Sequence, residues 1–169
     1  MKVLLISDSH GLTSEVDIIK KRHEDEVELM LHCGDSELTS TSPQLSSFKG
    51  VKGNCDFGSD LPNEIIEDLN GQTLYMTHGH LYNVKVTLMS LKYRAEEVNA
   101  KIVCYGHSHV AAAELIDGIL FINPGSIRLP LQRRQKTYVI IEVENSHANV
   151  KFFDVSGEEI QELSNDFMI

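Results

Sequence analysis

Residues able to ligate a metal stand at the ends of five short apolar runs in this 169-residue chain. Val3-Leu4-Leu5-Ile6 leads into Ser7-Asp8-Ser9-His10, and Leu29-Met30-Leu31 into His32-Cys33-Gly34-Asp35. A weaker apolar stretch from Phe48 to Val51 reaches Gly53-Asn54-Cys55-Asp56. Leu74-Tyr75-Met76 leads into Thr77-His78-Gly79-His80, and Ile102-Val103-Cys104-Tyr105 into Gly106-His107-Ser108-His109. Carboxylates from Asp8 and Asp35, the amide oxygen of Asn54 and imidazoles from His10, His78, His107 and His109 make a mixed nitrogen and oxygen donor set. Such a set suits Mn, Fe, Zn or Ni and fits poorly with an all-oxygen calcium cage. The cysteines have no Cys-x-x-Cys spacing, which argues against a zinc knuckle or an iron–sulfur cluster. Seven donors exceed the needs of one tetrahedral zinc. They match two metals sharing one carboxylate, roughly 3.5–4 Å apart, the usual arrangement for displacement at phosphorus.

Runs this short, bounded by Gly and small polar residues, read as buried strands. In α/β proteins the C-terminal ends of such strands face a common crevice, so the repetition predicts one site built from five loops. Between the strands, a helix is expected from about Thr13 to His23, with Val16, Ile18 and Ile19 inward and Thr13 or Ser14 as cap. Ser40–Ser47 reads as a polar loop or short helix interrupted by Pro43. Glu64–Asp68 and Thr73–Thr77 flank Asn70-Gly71, a strong hairpin signal. Val84–Asn99 reads as a helix with Val86, Leu88, Met89, Leu91 and Val98 inward. Strands follow at Ile102–Tyr105, Ala112–Ile116 and Ile119–Ile122, the last two joined across Asp117-Gly118. Tyr138–Val143 and Asn149–Phe153 form a terminal hairpin around Glu144–His147, and the acidic remainder is expected to be peripheral. Strand–helix units early and hairpins later suit a single domain, residues 1–169, of two packed mixed sheets flanked by helices: an α/β/β/α sandwich.

The formal net charge of −10 argues against a broad basic surface for nucleic acid. A nucleotide substrate stays compatible, because two divalent cations would make the site locally positive. Three cysteines without framework spacing point to a reducing compartment. Met1 to Ser7 reads as a strand rather than a signal peptide, and no apolar stretch approaches the ~18 residues that cross a bilayer. The expectation is a cytoplasmic protein with no membrane partner. Homo-oligomerisation is left open.

The ordered series Asp-x-His, Gly-Asp, Gly-Asn-x-Asp, Gly-His and Gly-His-x-His resembles the calcineurin-like metallophosphoesterases. The short length and the Gly-Asn-Cys-Asp wording resemble the small bacterial and archaeal phosphodiesterase branch. The resemblance runs from Met1 to about Ser126 and implies the same sandwich fold. It places Asp8, His10 and His109 on a first metal and Asn54, His78 and His107 on a second, with Asp35 bridging. It implies two divalent ions, Mn²⁺ first, with Ni²⁺, Zn²⁺, Fe²⁺ or Mg²⁺ as alternatives. The implied reaction is hydrolysis of a small phosphodiester by a bridging hydroxide attacking in line; monoester hydrolysis is the nearest enzymatic alternative.

Many relatives have His after the Gly-Asn, and here that position is Cys55. A thiol with an ordinary pKa of about 8.5 is neutral at pH 7 and carries no positive charge. Cys55 is therefore read as a site residue, not as a nucleophile, since nothing in the sequence sets a base beside it. With Asp35 and Asn54 it joins the expected catalytic set, as does His80, which either meets substrate or hydrogen-bonds a neighbour. Asp56 is expected to cap its own turn or orient a loop. His23, His32 and His147 match no motif position and read as non-ligands. Asn123-Pro124-Gly125-Ser126 reads as a tight turn and Arg128 as a surface residue. The absent His also keeps a second reading alive, a scaffold like the retromer subunit that shares this fold. The complete ligand set favours the enzyme, and a metal-storage or sensing role is weaker still.

Overall fold

The computed structural model describes residues 1–169. In chain order the elements are β1 (Lys2–Ile6), α1 (Ser14–His23), β2 (Leu29–His32), β3 (Phe48–Gly50), β4 (Glu64–Leu69), β5 (Gln72–Thr77), α2 (Met89–Glu97), β6 (Ile102–Cys104), β7 (Ala112–Ile116), β8 (Ile119–Asn123), β9 (Thr137–Glu144), β10 (His147–Asp154) and β11 (Asn165–Met168). Short 3₁₀ turns lie at Pro43–Leu45 and His80–Tyr82. One sheet has the order β11-β10-β9-β1-β2-β3 and the other β4-β5-β6-β8-β7. Within the first, β1, β2 and β3 run parallel; within the second, β5, β6 and β8 do.

Side chains alternate across each strand, and that alternation builds the layers. Val3 and Leu5 of β1 join Leu31, Val139 and Ile141 in a central core that also takes Leu74, Met76, Ile102, Cys104, Leu120 and Ile122 from the other sheet. Leu4 and Ile6 point the opposite way and pack with Val16 and Ile19 of α1. On the far side Tyr75, Val103 and Phe121 cover Leu91 and Ala95 of α2. The order helix, sheet, sheet, helix is the expected sandwich. No helix is long and apolar enough to cross a membrane.

Three expectations need correction. The helix expected over Val84–Asn99 covers only Met89–Glu97, because Asn83 takes a left-handed φ of 54° before it and Asn99 does the same after it. Val86 is 77% exposed and Met89 is also exposed, so neither faces inward. Ile18 of α1 is exposed too, leaving Val16 and Ile19 to anchor that helix. The acidic end of the chain is not merely peripheral: Asn165–Met168 pairs with β10 as a sixth strand. Its alternation is masked by Asn165 and Asp166, whose side chains stay exposed.

Candidate metal centre

Four of the five ligand-bearing loops follow the C-terminal ends of β1, β2, β5 and β6, and the fifth follows β3. They are zipped together by backbone hydrogen bonds. Asp8 N–H donates to Gly34 O (3.0 Å), His10 N–H to Asp35 O (2.9 Å), and Gly106 N–H to His78 O (3.0 Å). Asp8, His10, Asp35, His107 and His109 all take positive φ, between 44° and 66°. Such backbone is rare outside Gly and costs on the order of 1–3 kcal/mol per residue, so it persists where surrounding structure imposes it. Two glycines permit the close approach. A Cβ on Gly53 would lie 2.0 Å from Asp35 Oδ1, and one on Gly106 would lie 2.1 Å from Ser7 Oγ and 2.6 Å from Asp8 Oδ2.

Each carboxylate has one oxygen tied to the protein and the other turned inward. Asp8 Oδ2 accepts from Ser7 Oγ (2.6 Å) and His107 N–H (3.1 Å), while its Oδ1 is buried without a hydrogen-bond partner. Asp35 Oδ1 accepts from Cys55 N–H (2.7 Å), leaving Oδ2 3.2 Å from His78 Nε2. The imidazoles are oriented from behind. His10 Nδ1 faces Glu37 Oε1 at 2.5 Å, His78 Nδ1 faces Cys33 O at 2.7 Å, and His109 Nδ1 faces Leu129 O at 2.7 Å. Carbonyls and carboxylates only accept, so in the neutral rings Nδ1 carries the proton and Nε2 presents a lone pair.

Those lone pairs meet other acceptors. His109 Nε2 lies 3.1 Å from the unpartnered Asp8 Oδ1 and 3.2 Å from His10 Nε2. His78 Nε2 lies 3.2 Å from both Asp35 Oδ2 and Asn54 Oδ1. Acceptors packed this closely, with no donor between them, repel unless a cation or a proton joins them. Protonation of His109 and His78 is favoured here. The pKa of His109 is raised, chiefly by its hydrogen bond to Asp8. That of His78 is raised against its burial by Asp35 and Asp8. His107 goes the other way, to about 4, through burial and the nearby His78, and stays neutral. Asp8, His10 and His109 converge as one set, Asp35, His78 and His107 as another, and His10, Asp35 and Cys55 as a third. Asp35 is thus shared by sets on both sides. The donor chemistry fits bound metal.

Residues 1–146 match the family model of the calcineurin-like phosphoesterase superfamily domain. The chain belongs to that superfamily. It is 52% identical over 165 residues to the probable metallophosphoesterase YsnB of Bacillus subtilis, covering 98% of each chain. A phosphodiesterase of Methanocaldococcus jannaschii is 26% identical over 144 residues, covering 74% of this chain and 83% of that one. Vacuolar protein sorting-associated protein 29 of Schizosaccharomyces pombe is 36% identical over 95 residues, covering 53% of this chain and 51% of that protein. Among solved structures, a conserved protein of Streptococcus pneumoniae described as a "predicted phosphoesterase" superposes with a TM-score of 0.95 at 36% identity, covering 99% and 97% of the two chains.

The remaining expected residues of this phosphoesterase domain are placed as follows. His80 packs beside His78 and His107, with ring centroids 5.4 and 6.1 Å away, and its Nδ1 is buried without a partner. Cys55 is half-buried; burial and the Asp35 charge raise its thiol pKa to about 11. Asn54 Nδ2 donates to Cys55 Sγ (3.3 Å). His23 and His32 are buried away from these sets: His23 Nε2 pairs with Tyr138 Oη (2.8 Å), and His32 bonds Ser9 Oγ (2.9 Å) and accepts from Gly34 N–H (3.1 Å). His147 is exposed.

Other residues matter more than their motif positions suggest. Asp56 does more than cap its own turn, accepting from Gly53 N–H (2.8 Å), Asp35 N–H (2.8 Å), Glu37 N–H (2.7 Å) and Ser36 Oγ (3.3 Å). Asn123-Pro124-Gly125-Ser126 is the expected turn, yet it braces the site: Ser126 Oγ donates to Asp8 O (2.7 Å) and Asn123 Nδ2 to Gly106 O (2.9 Å). Arg128 donates from Nη1 to His10 O. Glu37, behind His10, belongs to none of the five motif blocks; its one signal in the sequence is its place two residues after Asp35.

Proposed function

We propose that this chain is a divalent-metal-dependent phosphodiesterase, its residues 1–169 acting as one domain in the cytoplasm. The observation that carries the reading is the acceptor-against-acceptor contact of His109 Nε2 with Asp8 Oδ1, repeated at His78 with Asn54 and Asp35. Asp8, His10 and His109 would hold one ion, and Asn54, His78 and His107 the other, with Asp35 between them. The mixed nitrogen and oxygen donors suit Mn²⁺, Ni²⁺, Zn²⁺ or Fe²⁺; Mn²⁺ is taken first on the family resemblance, with Mg²⁺ a further alternative. Such a metal pair, when bound, supplies a water acidic enough to act as hydroxide near neutral pH and positive charge for the phosphoryl oxygens.

The chain's own residues fix that chemistry in place. Glu37, Cys33 O and Leu129 O hold the three Nδ1 protons, so His10, His78 and His109 keep Nε2 free for ligation. Ser7 and the His107 backbone hold Asp8, and the Cys55 backbone holds Asp35, so neither carboxylate turns over when charge develops. A diester is preferred over a monoester because the similar proteins include phosphodiesterases of Methanocaldococcus jannaschii and Escherichia coli.

Chelation should abolish hydrolysis of bis(p-nitrophenyl) phosphate, and added Mn²⁺ should restore it without refolding, with slower turnover of p-nitrophenyl phosphate. A scaffold reading draws on the similarity to the sorting protein and on Cys55. It requires no turnover with any divalent metal, together with a stable protein partner.

A further inference from the structure

A cavity of about 360 Å³ opens directly beside the metal centre, between the loop that carries Glu37 and the loop that carries Cys55. Thr39, Ser40, Phe57 and Asp60 are among its other lining residues. Phe57 is 90% exposed, the most exposed of the large apolar side chains. A single exposed aromatic on a surface needs no explanation. This one stands two residues from Cys55, at the wall of a cavity that Cys55 and the His10 partner Glu37 also line.

The charge of the lining says what it excludes. No Lys or Arg lines it; Glu37, Asp56 and Asp60 do. Asp56 is already satisfied by four donors, and Glu37 is engaged with His10. The Asp60 carboxylate is exposed and is left to accept from a ligand. A second phosphate or a carboxylate would be repelled. A flat ring carrying N–H donors meets a stacking face in Phe57, an acceptor in Asp60, and hydroxyls in Thr39 and Ser40. Aromatic side chains hold nucleobases in this way, tolerant of sequence because every base has a π-face.

We infer that this cavity binds an amine-bearing nucleobase on the substrate's organic group, stacked on Phe57 and read by Asp60, which makes the substrate a nucleoside-type phosphodiester. This inference rests on the phosphodiesterase reading. It adds a determinant of specificity that is separate from the metal ligands.

The test compares two esters with the same leaving group, adenosine 5′-(p-nitrophenyl) phosphate and methyl p-nitrophenyl phosphate, on the Mn²⁺-loaded protein. Stacking of one base leads us to expect roughly a tenfold or greater preference in kcat/KM for the adenosine ester, carried by KM. Phe57→Ala should collapse the ratio of the two kcat/KM values, Phe57→Trp should restore it, and Asp60→Asn should lower it for the adenosine ester but not for the purine riboside ester, which lacks the exocyclic amine. A wild-type ratio near one, or a ratio that Phe57→Ala leaves intact, overturns the pocket and leaves the phosphodiesterase reading standing. Binding of free adenosine, followed by amide NMR shifts over residues 55–60, gives a readout independent of turnover. If no ester is cleaved at all, the phosphodiesterase reading fails. Adenosine-induced shifts that vanish in Phe57→Ala would then still support the pocket, and their absence would overturn it as well.

Discussion

The side-chain amide of Asn54 donates from Nδ2 to Cys55 Sγ across 3.3 Å, and this contact turns its Oδ1 toward His78 Nε2, 3.2 Å away. The sulfur thereby selects which end of the amide faces the centre. Ligation needs the amide oxygen rather than its N–H on that side, and the thiol opposes the flip. Cys55→Ala should weaken metal binding by a few-fold, because a thiol is a weak acceptor, and leave turnover at saturating metal within a small factor of wild type. Cys55→Ser should bind metal as wild type does. Calorimetric metal titration beside kcat measured in excess metal separates the two effects. A hundredfold fall in kcat with metal bound would mean that the sulfur takes part in the chemistry.

Asp35 stands between the His10 and His78 sets, so its loss should disturb both. Asp35→Ala is expected to bind less metal than Asp8→Ala and to lose activity entirely. Metal content by plasma spectrometry, taken with turnover on a diester, decides this. An Asp35→Ala protein that keeps two ions and substantial turnover would refute the bridging assignment.

The metal-free protein should be most stable near pH 6.5. His78 and His109 have folded pKa values above the ordinary 6.5, so the stability they add is complete below that pH and fades as pH rises through their folded values. His32 and His107 have folded values of about 4, so protonation of the unfolded chain costs stability as pH falls from 6.5 toward 4. With metal present the upper limb should reverse, because metal and proton compete for the same Nε2 atoms. Melting temperatures from pH 4 to 9, with and without Mn²⁺, test both limbs. An apo curve that keeps rising above pH 7 would contradict the raised values.

The convergence of the five loops is legible in the sequence because each couples a strand end to an unusual residue within a few positions. The layers were legible through the alternation of Val3, Leu4, Leu5 and Ile6. What stayed hidden was mostly long-range. Ser126 reaches Asp8 across the fold, and Glu37 meets His10 only because two parallel strands end together. No periodicity encodes such pairings. The overlong α2 reading failed for a different reason: Val84 and Leu88 do pack inward, but they do so from irregular backbone, so apolar spacing alone extended the helix too far.

Asp56 holds the Asp35–Glu37 and Gly53–Asp56 loops together through three backbone N–H groups and Ser36. Asp56→Ala leaves those buried donors unsatisfied. At about 1–3 kcal/mol for each such group, with water replacing some bonds, a loss of about 3 kcal/mol is expected. Thermal unfolding of Asp56→Ala should fall by roughly 6–12 °C in a chain of this size, and Asp56→Asn by about half as much. Unchanged melting in Asp56→Ala would show that the loops do not depend on this clamp.

Cys55, with its pKa near 11, is a weak acid and neutral at pH 7. It offers the departing oxygen no cationic donor where many relatives have imidazole. Negative charge must then build up on the leaving group in the transition state, and the rate should fall steeply as leaving-group pKa rises. Aryl diesters should be cleaved far faster than alkyl diesters. General acid catalysis contributes about 10²–10⁴-fold where it operates, so Cys55→His should raise turnover on alkyl esters while hardly changing it on p-nitrophenyl esters. A Brønsted plot over a series of substituted phenyl and alkyl diesters measures this directly for both proteins. A flat plot in the wild type would mean that another group protonates the leaving oxygen. His80 would then be the first candidate, since it sits beside His78 and His107 with Nδ1 unpartnered, and His80→Gln should restore the steep slope.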